Sequence, residues 1–492
     1  MSNVYENMGW DVTRLNYFGD AKEMALLGVG WGKFGSEEAF QENPTAHLLD
    51  VYHKIREDFQ PELAAAKKIR DEAKKKAQEE ADDTAEIESK GLFAERNEFF
   101  KKMESGDEDT LALYTRIRDI AIANYTKLYA RLGLTFDENS GESQVSQGTI
   151  TEVEQALKDK EICKEKGGAW AIQMHDIGAK GGVAIIRDRA GSSTYLLRYL
   201  AAALERWRKF EFDKMAFVAA DKTNHFPGMF KILEAIGMTE LRERLLHVQF
   251  SDMSHMSEKL GQGQQPHDIL DQCEKAMLDV LEADAPRASL LGTSSETAKL
   301  LATTGLIIQE LSSKRAGDHA VDIDALTSFK PGTGPDLQYW YARLCSALKE
   351  NLIVEDLSSE EYASLADEEQ TSLLLLLSKY PDVTHEAYKG LESAPVVTYL
   401  RSVVEHLADC LDTEDDGAGE EGTETSEVEN TETVDEGEAS EGVGGREETV
   451  ITPAQAALYE ATRIVLENGM RLLGLTPIQL PQHDRADTPT AV

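Results

Sequence analysis

The feature that most restricts what this chain can fold into is a change of period at about Pro266. Beyond it, apolar residues recur at the three-to-four-residue spacing of a helix face over 268–282, 295–311, 335–350, 371–380 and 395–411. A last run, TPAQAALYEATRIVLENGMRLLGL, has Thr452 where a side chain can cap the first turn and Pro453 where a missing N–H costs nothing. Between these helices lies 412–448, rich in Glu, Gly and Thr, which lacks the apolar residues needed to offset the entropy of ordering. It holds all sixteen acids and the one base found between Leu411 and Val450, a stretch carrying −15 of the formal −39. Because a strong helix follows, it reads as an insertion that loops out. An all-α domain therefore forms the second half of the chain.

The first half mixes strand and helix signals. A β-prone run over 12–18 follows a turn at Gly9, and a long helical stretch opens at Pro44. Residues 61–90 are strong helix formers with few large apolar side chains, which suits a solvated helical insertion. The spacing predicts a packed helix over 110–132 that stops at Gly133. TFDENSGESQV then reads as turn chemistry containing one candidate for a buried acid, Glu142. Strand signals follow through 178–187, a helix begins near Ser193, and FDKMAFVAADKTNHF predicts a buried strand ending in Asp221, Asn224 and His225. In open α/β sheets ligands gather at such strand ends, which makes these three site candidates. The stretch 247–270 reads as a strand, a loop with Gly261 and Gly263, and the start of an amphipathic helix.

Composition narrows the setting. Four cysteines, Cys163, Cys273, Cys345 and Cys410, have neither CxxC spacing nor a histidine at metal-ligand distance, so we expect free thiols and no zinc. The first twenty residues lack the pattern of a signal peptide, and no apolar run approaches the ~20 residues of a membrane helix. A cytoplasmic protein with no membrane contact and no DNA partner is expected. An overall acidic charge disfavours phosphate binding on average, although a local basic surface can persist within it.

The motifs point further. GWDVTRLNYFGD at Gly9, FGSEEA at Phe34, SGESQV at Ser140, TYLLR at Thr194, FDKM at Phe212, GTGPDLQYWYARL at Gly332 and LYEATRIVLENGMRLLGLTP at Leu458 run nearly the whole length. In these the chain resembles the arginyl-tRNA synthetases of class I. The resemblance implies an α/β Rossmann-like catalytic domain of class I synthetase type over 1–325, incomplete at its N-terminus. An all-α anticodon-binding domain over 326–480 would follow, with the acidic insertion at 412–449 and a tail at 481–492. It also implies a substrate pocket holding Asn16, Asp20, Glu142, Tyr195 and Tyr199. Glu142 matches the acid that binds the guanidinium, and Tyr195 the pocket tyrosine. Tyr199 stands where the family has an aspartate.

Other departures concern ATP. The HIGH-type signature should lie before Met8, where there is no chain to carry it, and the Gly-Asp-Trp-Gly stretch expected after the family's second strand is here Gly19, Asp20, Ala21, Lys22. The KMS signature is reduced to His255, Met256 and Ser257, followed by Glu258. Phosphate chemistry needs fixed cations and donors, so we expect no ATP and no other cofactor or metal. On this basis the chain resembles the fungal arginine-containing cyclodipeptide synthases. The expected reaction takes arginine from arginyl-tRNA, joins it to a residue from a second aminoacyl-tRNA and closes a diketopiperazine. His225 and Asp221 would move protons, with Ser143 and Ser257 as lesser candidates for an acyl-accepting nucleophile. A catalytically inactive pseudo-synthetase that binds tRNA or a synthetase partner is the alternative. A third reading, an ordinary synthetase whose reading frame begins too late, explains the missing signature but not the altered loop.

Overall fold

The computed structural model describes residues 1–18, 22–75, 85–220, 225–250, 266–315, 322–349, 357–416 and 451–480. The chain divides into two compact units, one spanning Thr13–Asp252 and the other combining Met1–Val12 with Met253–Val492.

The first is an α/β unit. Strand β1 (Leu15–Phe18) pairs in parallel with β2 (Glu138–Gly141), Leu15 opposite Glu138 and Phe18 opposite Gly141. β2 lies inside the stretch read as turn chemistry. Its sequence, ENSG, has almost no strand propensity, and the pairing with β1 decides its state. Strands β3 (Cys163–Lys166), β4 (Ala169–Gln173) and β5 (Val183–Arg187) form an antiparallel meander. β6 (Met215–Val218) pairs in parallel with β7 (Leu245–Val248). The expectation of a buried strand at β6 is corrected in part: Phe217 is buried, but Val218 is 55% exposed.

Between β1 and β2 the chain makes helices Lys22–Phe34, Pro44–Lys75, Gly91–Ser105 and Glu108–Arg131, among others. Helix Gly91–Ser105 has no side-chain cap of its own. Instead the Glu62 carboxylate, from the helix containing Pro61, accepts the N–H groups of Leu92 at 2.9 Å and Phe93 at 3.0 Å. A carboxylate at that end satisfies orphan donors and meets the positive pole of the helix dipole. The core behind the meander gathers Ile150, Val153, Leu157, Ile172, Ile186, Leu197, Leu200, Ile232 and Leu233.

The second unit is helical. Helices Pro266–Ala283, Ser295–Leu311, Gly334–Lys349, Glu368–Leu377, Ala394–Asp416 and Pro453–Leu472 carry the apolar stripes seen in the sequence, and Tyr380–Gly390 is a further helix the spacing did not single out. The helix ending at Asp416 runs a few residues into the acidic insertion. A Cβ on Gly334 would lie 2.5 Å from the Gly305 nitrogen, and one on Gly305 would lie 2.2 Å from the Leu326 carbonyl oxygen. Only glycine permits that approach. Gln338, fully buried, donates to Thr304 Oγ1 at 3.2 Å and to the Thr476 carbonyl at 2.9 Å, while its own oxygen accepts the Ile478 N–H at 2.9 Å. That satisfied amide fixes the segment after the last helix. Thr452 and Gln455 form the reciprocal capping box that opens helix Pro453–Leu472.

The N-terminal helix Ser2–Asn7 belongs to this helical unit. Asn3 donates to the Arg471 carbonyl at 2.8 Å, Tyr5 packs edge-on against Tyr388, and Trp10 Nε1 donates to the Tyr388 hydroxyl at 3.0 Å.

Candidate functional site

The parallel pair β1 and β2 delivers its C-terminal ends side by side, and Glu142 is the residue that follows β2. It opens the short 3-10 turn Glu142–Gln144 and is 8% exposed. Its neighbour Ser143 accepts a hydrogen bond from the Tyr114 hydroxyl. That contact ties the turn to helix Glu108–Arg131.

An aromatic wall stands at the start of helix Tyr195–Phe210. Tyr195, its first residue, is 54% exposed, with its ring centroid 4.7 Å from that of His225. Tyr199, one turn on, lies 5.2 Å from His225 and 5.0 Å edge-on to Tyr17 of β1. Behind Tyr17 sits the buried guanidinium of Arg206, 4.4 Å from the ring centroid, its pKa lowered by burial. Alternation along β1 puts Asn16 on the face opposite Tyr17. There it donates to Asn139 of β2 at 3.3 Å, and Phe18 on the same face stacks with Tyr125. The structure thus gathers Tyr195, Tyr199 and His225, adds Tyr17, and places Asn16 in a ladder between the two strands.

Beneath Tyr195 lies a polar knot that sequence reasoning missed. Arg198 is 2% exposed, and its Nη2 donates to Glu104 Oε1 at 2.8 Å while its Nε donates to Ser193 Oγ at 2.7 Å. Ser193 in turn donates to Glu104 through its hydroxyl at 2.6 Å. The signal was present: Arg198 interrupts the apolar run Leu196, Leu197, Leu200, Ala201, and a charge on a buried helix face must be paired. Its partner 94 residues earlier was not readable from spacing.

Asp20, Asp221, Asn224, the loop containing His255, Met256, Ser257, Glu258, Gly261 and Gly263, and the tail 481–492 lie outside the described residues, as does the acidic insertion beyond Asp416. Among the described residues no helix is long and apolar enough to cross a membrane. The four cysteines are free thiols.

With this geometry in place, comparison with known proteins is specific. Residues 1–323 match the family of class I tRNA synthetases for arginine, catalytic domain, and residues 337–416 match the DALR anticodon binding domain. The cytoplasmic arginine–tRNA ligase of Saccharomyces cerevisiae is 32% identical over 483 residues, covering 97% of this chain and 72% of its own. The probable cytoplasmic arginine–tRNA ligase of Schizosaccharomyces pombe is also 32% identical, with the same coverage, and the mitochondrial S. cerevisiae ligase is 30% identical, covering 97% and 67%. In fold, the arginyl-tRNA synthetases of Plasmodium falciparum and Thermus thermophilus superpose with TM-scores of 0.68 and 0.64 at 18% and 14% identity. Each covers 97% of this chain, and the chain covers 71% and 77% of theirs.

Three expectations are corrected by these findings. The cyclodipeptide synthase reading gives way, because the relatives that match along 97% of the chain are named arginine–tRNA ligases. The second aminoacyl-tRNA has no support among them. The absence of ATP is overturned with it, since ligation of a free amino acid to tRNA is uphill and ligases of this family drive it with ATP. A class I synthetase-type catalytic domain followed by a DALR-type helical domain is the observed architecture, and the chain belongs to the arginyl-tRNA synthetase family.

Proposed function

We propose that the chain is an arginine–tRNA ligase, binding arginine in the α/β unit and a tRNA for arginine through its helical domain. In this reading residues 1–325 carry the amino-acid chemistry and 326–480 the contact with tRNA. The observation that carries it is Glu142, a buried carboxylate at the end of a parallel strand. A carboxylate opposing a guanidinium gives short, charge-assisted and often bidentate hydrogen bonds. Tyr195 would form the exposed wall of that pocket, with Tyr199 and His225 packed on it. His225 would be the group that exchanges a proton there. Relatives at 32% identity named as cytoplasmic support a cytoplasmic setting.

The test incubates the full chain with tRNA, ATP, magnesium and radiolabelled arginine, and measures both pyrophosphate exchange and acid-insoluble arginyl-tRNA. Arginine-dependent exchange and charging, absent with lysine or citrulline, are expected. A chain that neither binds arginine nor charges tRNA overturns the proposal.

A further inference from the structure

We propose that Arg198 and Glu104 are positioning residues of the arginine pocket, a paired charge that sets where Tyr195 and Glu142 stand. The proposal rests on the reading of that pocket given above. Helix Tyr195–Phe210 has no side-chain cap at its first turn. The preceding turn is fixed from outside the helix instead. The Ser193 N–H points at the Glu104 carboxylate at 3.3 Å, and the Ser193 hydroxyl donates to it at 2.6 Å. The Thr194 N–H donates to the Ile186 carbonyl at 2.9 Å and its hydroxyl to the Ile185 carbonyl at 2.7 Å. Tyr195 is the next residue, so this turn fixes where its Cα stands and from where its ring projects.

Arg198 joins the turn to the rest of the pocket. Its guanidinium reaches Glu104 and Ser193 on one side, and its Nη1 lies 3.5 Å from the Glu142 backbone carbonyl on the other. The Phe100 ring covers it at 4.4 Å. Phe100 and Glu104 come from the same helix, Gly91–Ser105, one turn apart. Three segments distant in sequence, bearing Glu104, Glu142 and Tyr195, therefore meet on one planar group. A buried ion pair adds little net stability compared with apolar residues of the same volume, because desolvation of both charges opposes their attraction. What it adds is direction, since the planar fork of arginine accepts few arrangements of its partners.

The test uses Glu104→Gln, which keeps shape and removes charge, and Arg198→Lys, which keeps charge and removes the fork. Arginine affinity is measured by calorimetry well below each variant's melting midpoint, beside the affinity for tRNA. We expect arginine to bind about 10-fold more weakly to either variant, the size of one weakened hydrogen bond to a charged group, with tRNA affinity unchanged. Folded variants that bind arginine within about twofold of wild type overturn the proposal, and a purely structural role would lower the melting midpoint without moving that affinity. If Arg198→Lys does not fold, Glu104→Gln and Ser193→Ala decide the matter. A wild-type chain that binds tRNA but not arginine removes the pocket reading itself, and the positioning role with it.

Discussion

Glu142→Gln gives the sharpest test of the arginine pocket. The substitution keeps the volume of the side chain and one acceptor oxygen, and it replaces the second acceptor with an NH2 group that faces the donors of a guanidinium. A hydrogen bond to a charged group is worth about 1.5–3 kcal/mol. Glu142 is 8% exposed, so water and salt screen it little. The loss corresponds to roughly 10- to 150-fold in Kd for arginine. Citrulline separates charge from shape, being the neutral isostere of arginine. Wild type should prefer arginine over citrulline by about that factor, and Glu142→Gln should lose most of the preference, so that a double-mutant cycle returns a coupling of about 1.5–3 kcal/mol. Calorimetric titration at low and high salt reads all four corners. A variant that discriminates between the two ligands as wild type does would refute the assignment of Glu142 as the guanidinium partner.

Three other outcomes follow from the packing and charge of the molecule. Glu154 lies between Arg187 Nε and Lys158 Nζ, each at 2.6 Å; burial pushes its carboxyl up, but the two cations together hold it below its ordinary value of 4.5. A depressed carboxylate contributes stability above its unfolded pKa and loses it as pH falls through the folded one, so melting midpoints between pH 7 and 3 should fall less steeply below pH ~4.5 in Glu154→Gln than in wild type, and equal slopes would contradict this. Gly305→Ala drives a methyl group into the Leu326 carbonyl, a backbone atom that cannot rotate away; a loss of about 1–3 kcal/mol, roughly 3–10 °C in melting midpoint, is expected, and an unchanged midpoint would refute the close packing. Burial raises the Cys273 thiol to about 11, leaving about one thiolate in a thousand at pH 8. Peptide mass spectrometry after brief native alkylation should find Cys273 unmodified until urea is added, and equal labelling in both conditions would refute its burial.

The helical half was legible because its signals are local. Thr452 three residues before Gln455 and the spacing of Leu458, Leu466 and Met470 need no distant partner to be read. β2 failed for the opposite reason: Glu138, Asn139, Ser140 and Gly141 become a strand only because Leu15–Phe18 lies beside them. The site divides the same way. Glu142 and Tyr195 are proposed from their motifs, whereas the contacts of Tyr17, Arg206 and the Arg198–Glu104 pair emerge only when segments far apart in the chain meet. The inference that ATP chemistry was lost rested on a few residues in two short stretches. Agreement with arginine–tRNA ligases over 483 residues outweighs that local divergence.

The placement of helix Ser2–Asn7 has a consequence for synthesis. The segment leaves the ribosome long before the surfaces it packs on, the Tyr388 ring and the Arg471 carbonyl, which follow 378 and 468 residues after Trp10 and Asn3 respectively. At 5–20 residues per second the interval is about 25–90 s. A six-residue helix cannot hold its shape alone for that time. The helical unit is therefore closed by helix Ser2–Asn7 only after residues made much later in the chain have arrived. A nascent chain halted before Arg471 would carry Asn3, Tyr5 and Trp10 with part of their docking surface still unmade.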